Sequence, residues 1–338
     1  MKEIRRKAKI VMEGFCRICP SCNGKACAGE MPGMGGIGTG TSFSANIEAL
    51  SSIKFNMRLI HDACEPVTKK TVLGYAFDIP VLAAPIGGVS FNMGDRITEK
   101  DYITAVLGGC HETGTLGCTG DGAPDIVHEA GLAAIRELNG KGIPFIKPWE
   151  DKELFLKLGK AVESKAEFAG MDIDAAGLIT LKLMGRPVSP KSPEKLKEII
   201  DKTPLKFILK GIMTVDDAKR AVDAGAAGIV VSNHGGRVLD HTPGVADVLP
   251  EIAKAVKGSI AVIADGGIRT GGDVLKMLAL GADLVMIGRP FSIAATGGLK
   301  DGVKKYLGIL KAELIQTMIL TGCRDTVSVD RSILFHKP

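Results

Sequence analysis

The fold is decided by GIVVSNHGGRVLD, residues 228–240. The apolar run GIVV stops abruptly at a polar loop carrying Ser232, Asn233, His234, two glycines and Arg237. A buried strand of an α/β barrel delivers chemistry at its C-terminal end in this way. Downstream, AVIA (261–264) opens into DGGIRTGGD (265–273), and LVMIG (284–288) opens into Arg289 and Pro290. Upstream, LKFILKG (205–211) ends on Lys210 and Gly211. Helical patterns separate these runs, which makes repeated βαβ units and a parallel sheet.

The same alternation extends toward the N-terminus. VLAAP (81–85) is stopped by Pro85 and followed by Ile86, Gly87 and Gly88; further strands are expected at 113–117, at IPFIK (143–147) and at EFAGMDID (167–174). Helices are expected over 99–108, 125–130, 151–164, 192–200 behind a Ser192 cap, 214–223 behind Thr214, 245–256 with a kink or restart at Pro250, after Gly272, and over 302–320. Eight strand and helix pairs make a TIM barrel over residues 66–338, preceded by an N-terminal cap of residues 1–65. Within this plan TKKTVLGYAFDIP (68–80) reads as two short strands around a turn at Gly74, and SANIEALSSIKFNMRLI from Ser44 reads as a helix burying Ile47, Leu50 and Phe55.

Composition narrows the function. The 338 residues carry 43 Lys and Arg against 38 Asp and Glu, a net charge of +5, with 4% aromatics. That balance suits a small anionic ligand and argues against nucleic acid. No apolar run reaches the ~18 residues of a membrane helix, and the basic N-terminus lacks the apolar core of a signal peptide. Eight cysteines then read as reduced thiols in a cytoplasmic protein. Four of them, Cys16, Cys19, Cys22 and Cys27, make two CxxC steps sharing a cysteine and then a longer gap. Such a run either wraps a zinc ion or an iron–sulfur cluster, or packs as a plain loop at the barrel base.

The barrel rule places a phosphate after strands seven and eight. Gly266, Gly267, Gly271, Gly272 and Gly288 leave backbone amides bare there, and Arg269 and Arg289 add charge. His234 and Arg237 share one loop, a proton acceptor beside a fork for a carboxylate. Asp174, ending strand four, is placed to orient His234. Lys210 inside an apolar strand demands a negative partner.

ILKGIMTVDDAKRAVDAGAAGIVVSNHGGRVLD and IADGGIRTGGDVLKMLALGADLVMIGRPF closely resemble the FMN-dependent alpha-hydroxy acid oxidases and dehydrogenases, which include glycolate oxidase, lactate oxidase and mandelate dehydrogenase. The resemblance is dense over 205–295, fair over 46–88 and thin over 97–203. It implies oxidation of an alpha-hydroxy acid to the keto acid with FMN as electron acceptor. His234 would be the base, Asp174 its partner, Arg237 the carboxylate anchor and Lys210 the cation against the flavin. Pro85, Ile86, Gly87 and Ser232 would border the ring, while Asp265, Gly266, Gly267, Arg269, Gly288 and Arg289 would hold ribityl and phosphate. It also implies a homo-oligomer and a further electron acceptor. The substrate side departs from the family: its N-terminal tyrosine falls near Pro32 or Gly33, its tyrosine and glutamine around strand three become Lys147 and Phe145, and its second arginine has only Lys182 and Arg186 nearby. Two other readings are an FMN isomerase similar to type 2 isopentenyl diphosphate isomerase, and a flavin or cluster redox sensor without turnover.

Overall fold

The structure is a computed structural model that describes residues 1–178, 181 and 184–335. After a short antiparallel hairpin of β1 (Lys70–Val72) and β2 (Tyr75–Phe77), eight parallel strands close a barrel. They are β3 (Val81–Ile86), β4 (Gly117–Thr119), β5 (Ile143–Ile146), β6 (Phe168–Asp172), β7 (Lys206–Ile212), β8 (Gly228–Val231), β9 (Ala261–Ala264) and β10 (Leu284–Ile287). Each pairs with the next, and β10 returns to β3. A closed parallel barrel with a helix after nearly every strand is a TIM barrel.

Side chains alternate across the wall. Leu82, Cys118, Phe145, Phe168, Ile208, Val230, Ile263 and Met286 fill the interior, whereas Val81, Ala83, Phe207, Leu209, Ile229, Val231 and Val285 pack outward under the helices. Because strands repeat every two residues, the next inward positions toward the C-terminal mouth include Lys147, Lys210, Ser232, Asp265 and Gly288, and Asp172 follows Gly170 one step higher on β6. Moving up β5 to β9 therefore takes the dry apolar layer into polar and charged side chains.

Several elements differ from the sequence expectation. The second barrel strand is Gly117–Thr119 rather than 113–117, because the preceding helix runs on from Glu99 to Glu112 and Gly114 then turns at φ +70°. The strand expected through Asp174 ends at Asp172, and Asp174 lies on the short 3-10 turn Ile173–Gly177. The helix from Ser44 begins at Thr41 and ends at Ser52, so Phe55 lies beyond it, in a bridge with Leu334. The helix expected from 302 is part of a run, Arg289–Thr321, that is broken at Leu299.

The cap opens with a helix, Lys2–Val11, packed along that final helical run. The cysteine loop and the glycine-rich segment follow. The helix Thr41–Ser52 docks on the loop after β8 through Asn46, whose Nδ2 donates to Asn233 Oδ1 at 2.8 Å and whose Oδ1 accepts from Val245 N at 3.0 Å.

Candidate active site

The loop after β8 turns through three left-handed residues in succession: His234 (φ +57°), Gly235 (φ +62°) and Gly236 (φ +76°). This is a strained conformation for histidine and a free one for glycine. Ser232 fixes the loop from below. Its Oγ donates to Asp265 Oδ2 at 2.7 Å and accepts from His234 N at 3.0 Å.

The turn aims His234 at Asp174, whose two carboxylate oxygens lie 3.0 and 3.1 Å from Nδ1. Lys210 Nζ lies 3.2 Å from the same nitrogen. One nitrogen cannot donate to a carboxylate and accept from an ammonium together. The carboxylate contact is shorter and opposite in charge, so Nδ1–H donates to Asp174, and Nε2 keeps its lone pair. Nε2 has no hydrogen-bond partner among the described residues.

Charge arranges itself around this pair. Lys210 Nζ is 3.0 Å from Asp172 Oδ1, with both side chains 4% exposed. Burial works against the ammonium, but Asp172, Asp174 and Asp265 outweigh it and hold Lys210 above the ordinary lysine value. Burial alone would raise Asp174; His234 and Lys210 instead hold it down to about 2. Asp265 is pushed up by burial despite Lys210. Lys147 is buried on the Asp174 side of the mouth. Its backbone N–H donates to Asp121, which also accepts from Trp149 Nε1 and Lys157 Nζ.

The glycine-rich segment crosses the mouth. Arg237 Nη1 donates to the carbonyls of Gly33 (2.7 Å) and Gly35 (2.9 Å), and Nη2 donates to Asn92 Oδ1 (2.9 Å). Arg289 donates to the carbonyls of Met34, Gly235 and Gly35 at 2.8 to 3.1 Å and stacks on Phe43, 3.8 Å from the ring centroid. Neither guanidinium, nor that of Arg269, has a carboxylate within 4.0 Å among the described residues. Burial pulls Arg237 and Arg289 below the usual arginine value. Arg269 Nε is buried with no partner, and so is Asp265 Oδ1.

Some expected roles shift. A Cβ on Gly266 or Gly267 would meet Asn46 at 2.6 or 2.5 Å, and one on Gly271 would meet Leu314 N at 2.1 Å. These glycines answer to helices packed against them. Gly271 N already donates to Glu313 Oε2 at 2.9 Å, so it is not a bare amide. Gly87 answers in the same way to Val127, whose Cγ1 would lie 2.4 Å from a Cβ at that position, while Pro85, Ile86 and Gly288 are half-buried at the mouth. A Cβ on Gly272 would meet Phe55, Thr270 and Thr317 only at ordinary contact distances of 3.6 to 3.7 Å. Arg186 turns away to Glu153 and Asp125, and Lys182 lies outside the described residues. Three further residues, Asp172, Asn92 and Asp121, join the site without a motif to mark them. Of these, Asp172 stands at the inward spacing of two from Gly170 and Phe168, a signal present in the strand itself. A cavity of about 420 Å³, lined by Arg269, Arg289, Cys22, Tyr306 and Arg5, opens beside the arginines and does not reach His234.

A family model described as FMN-dependent dehydrogenase matches residues 33–105 and 154–336. The chain belongs to the FMN-dependent dehydrogenase family. It is 33% identical over 315 residues to 2-hydroxyacid oxidase 2 of Bos taurus, covering 86% of this chain and 88% of that one. It is also 33% identical over 328 residues to 4-hydroxymandelate oxidase of Amycolatopsis orientalis, covering 88% and 90%. A crystal structure of mandelate oxidase superposes with a TM-score of 0.80 at 28% identity, covering 99% of this chain and 97% of that one. The family model passes over residues 106–153, which hold Asp121 and Lys147. The donor set fits FMN: the guanidinium groups of Arg269 and Arg289, without carboxylates among the described residues, suit a phosphate, and the unpartnered Asp265 Oδ1 suits a hydroxyl.

Proposed function

We propose that this FMN-dependent enzyme oxidises a small 2-hydroxy acid to the 2-oxo acid, with His234 as the base. The His234–Asp174 pair beside the buried Lys210 carries this reading. With Nδ1–H given to Asp174, Nε2 is the free acceptor for a substrate proton, and the ionised Asp174 stabilises the imidazolium that results. Arg237 keeps two of its five N–H donors without partners among the described residues, and these anchor the substrate carboxylate. Lys147 adds positive charge on the substrate side; the same role falls to Lys182.

Lys210, Ser232, Pro85, Ile86 and Gly87 would border the flavin ring, and Asp265, Gly266, Gly267, Arg269, Gly288 and Arg289 would hold ribityl and phosphate. FMN supplies the two-electron acceptor when bound. A second acceptor then reoxidises the enzyme. The eight unpaired cysteines support a reducing, cytoplasmic setting. We also take the four-cysteine loop to hold a metal centre, zinc or iron–sulfur, and the protein to work as a homo-oligomer.

The test is an anaerobic absorbance titration of the flavin-loaded protein with a panel of L and D 2-hydroxy acids. Loss of the oxidised flavin bands with one acid, and no loss in a flavin-retaining His234→Gln variant, is the expected result. Failure of every acid to bleach the flavin overturns the reading; turnover of another substrate without net bleaching would point to isomerase chemistry.

A further inference from the structure

Cys16, Cys19, Cys22 and Cys27 line one small cavity, together with Met12 and Arg289. No cysteine of the chain is in a disulfide. The cavity sits between the first helix, the final helical run and the arginines at the barrel mouth.

The loop is held from outside by cations. Arg5 Nη2 donates to Cys19 O at 2.6 Å and to Ile18 O at 3.4 Å, and Arg269 Nη2 reaches Cys22 O at 3.4 Å and Cys22 Sγ at 3.6 Å. Between the first two cysteines Ile18 adopts φ +48° while 8% exposed. A β-branched residue avoids that region. The surrounding contacts impose it, and it turns the chain between Cys16 and Cys19.

Among the described residues, no three of the four thiols bring their sulfurs within 4.8 Å of one another, so the loop as it stands is not closed around a single ion. The order of the cysteines favours a cluster over zinc: the first three follow the C-x2-C-x2-C run of cluster proteins, and Cys27 stands as the fourth ligand. Arg5, Arg269 and Arg289 around the loop suit the negative charge that four thiolates bring, and Glu30, whose charge reaches Cys27, is itself paired with Arg17.

We propose that Cys16, Cys19, Cys22 and Cys27 hold a four-iron iron–sulfur cluster at the edge of the barrel mouth, beside Arg269 and Arg289. This rests on reading the loop as a metal centre and is independent of the hydroxy acid chemistry. The cluster ties the N-terminal helix to the segment whose carbonyls hold Arg237 and Arg289.

The test is iron, acid-labile sulfide, zinc and flavin analysis of the full chain purified anaerobically, with electron paramagnetic resonance after dithionite reduction. About four irons and four sulfides per chain, with a signal on reduction, are expected. Cys22→Ser and Cys27→Ser should lose the iron while an exposed-cysteine control, Cys64→Ser, keeps it. Should a serine variant fold poorly by circular dichroism, reconstitution of demetallated wild-type chain with ferrous iron and sulfide replaces it: uptake blocked by prior thiol alkylation supports the cluster, and no uptake overturns it. One zinc per chain without sulfide keeps the metal centre and overturns the cluster. Absence of any metal overturns both. The hydroxy acid reading stands or falls separately, on the flavin titration described above.

Discussion

Asp172 and Lys210 face each other in register across β6 and β7 and close an ion pair of 3.0 Å inside the barrel. Both side chains are 4% exposed, so each cancels a charge that the apolar layer beneath would reject. Replacing Asp172 with Ala should cost about 3–5 kcal/mol by leaving the lysine uncompensated. Urea denaturation checks this, and the pair Asp172→Leu with Lys210→Met should recover most of the loss.

Asp174 carries the pH dependence. Its folded pKa is depressed to about 2, below the ~3.9 of an unfolded aspartate. Its contribution to stability is therefore fully present above about pH 4 and lost as pH falls through about 2. Acid unfolding of Asp174→Asn should lack that component while its stability at pH 7 is lower. An unchanged difference between the two proteins from pH 5 to pH 2 would refute the assignment.

Gly236 should not tolerate a side chain. A Cβ there would lie 2.4 Å from Phe43 N, at φ +76°. Gly236→Ala should lower stability by roughly 1–3 kcal/mol and move Phe43 from under Arg289. A fall in melting temperature together with weaker flavin retention is the expected pair of readings.

Asp121 joins Lys157, Trp149 and the backbone of Lys147 in a buried network. Lys157 is 6% exposed and the Asp121 side chain fully buried. Asp121→Ala should destabilise by about 3–5 kcal/mol. If Lys147 lies on the substrate side, KM for the acid should rise more than kcat falls in a milder Asp121→Asn variant.

Much of the barrel is legible in the chain. GIVV, AVIA, LVMIG and LKFILKG are short, apolar and bounded by turn residues, and all four are strands. β4 is harder to place, because Thr113 and Gly114 look like a strand start but serve as a helix end. Gly271 looks like a bare amide in the sequence, but its N–H is taken by Glu313. Glycine at a phosphate loop and glycine under a docked helix are indistinguishable until the helix is present.

Local pattern suffices for the closed parallel barrel and the polar layer at its mouth, because period-two alternation carries Lys210, Ser232 and Asp265 inward from Ile208, Val230 and Ile263. What meets that layer depends on tertiary packing alone. Arg237 takes its carbonyl partner from Gly33, 204 positions away, and Asn233 takes its amide partner from Asn46, 187 positions away. Periodicity tells which way a side chain points within its own strand; a glycine-rich loop has no period, and its resting place is set by the long-range packing of the cap across the barrel mouth.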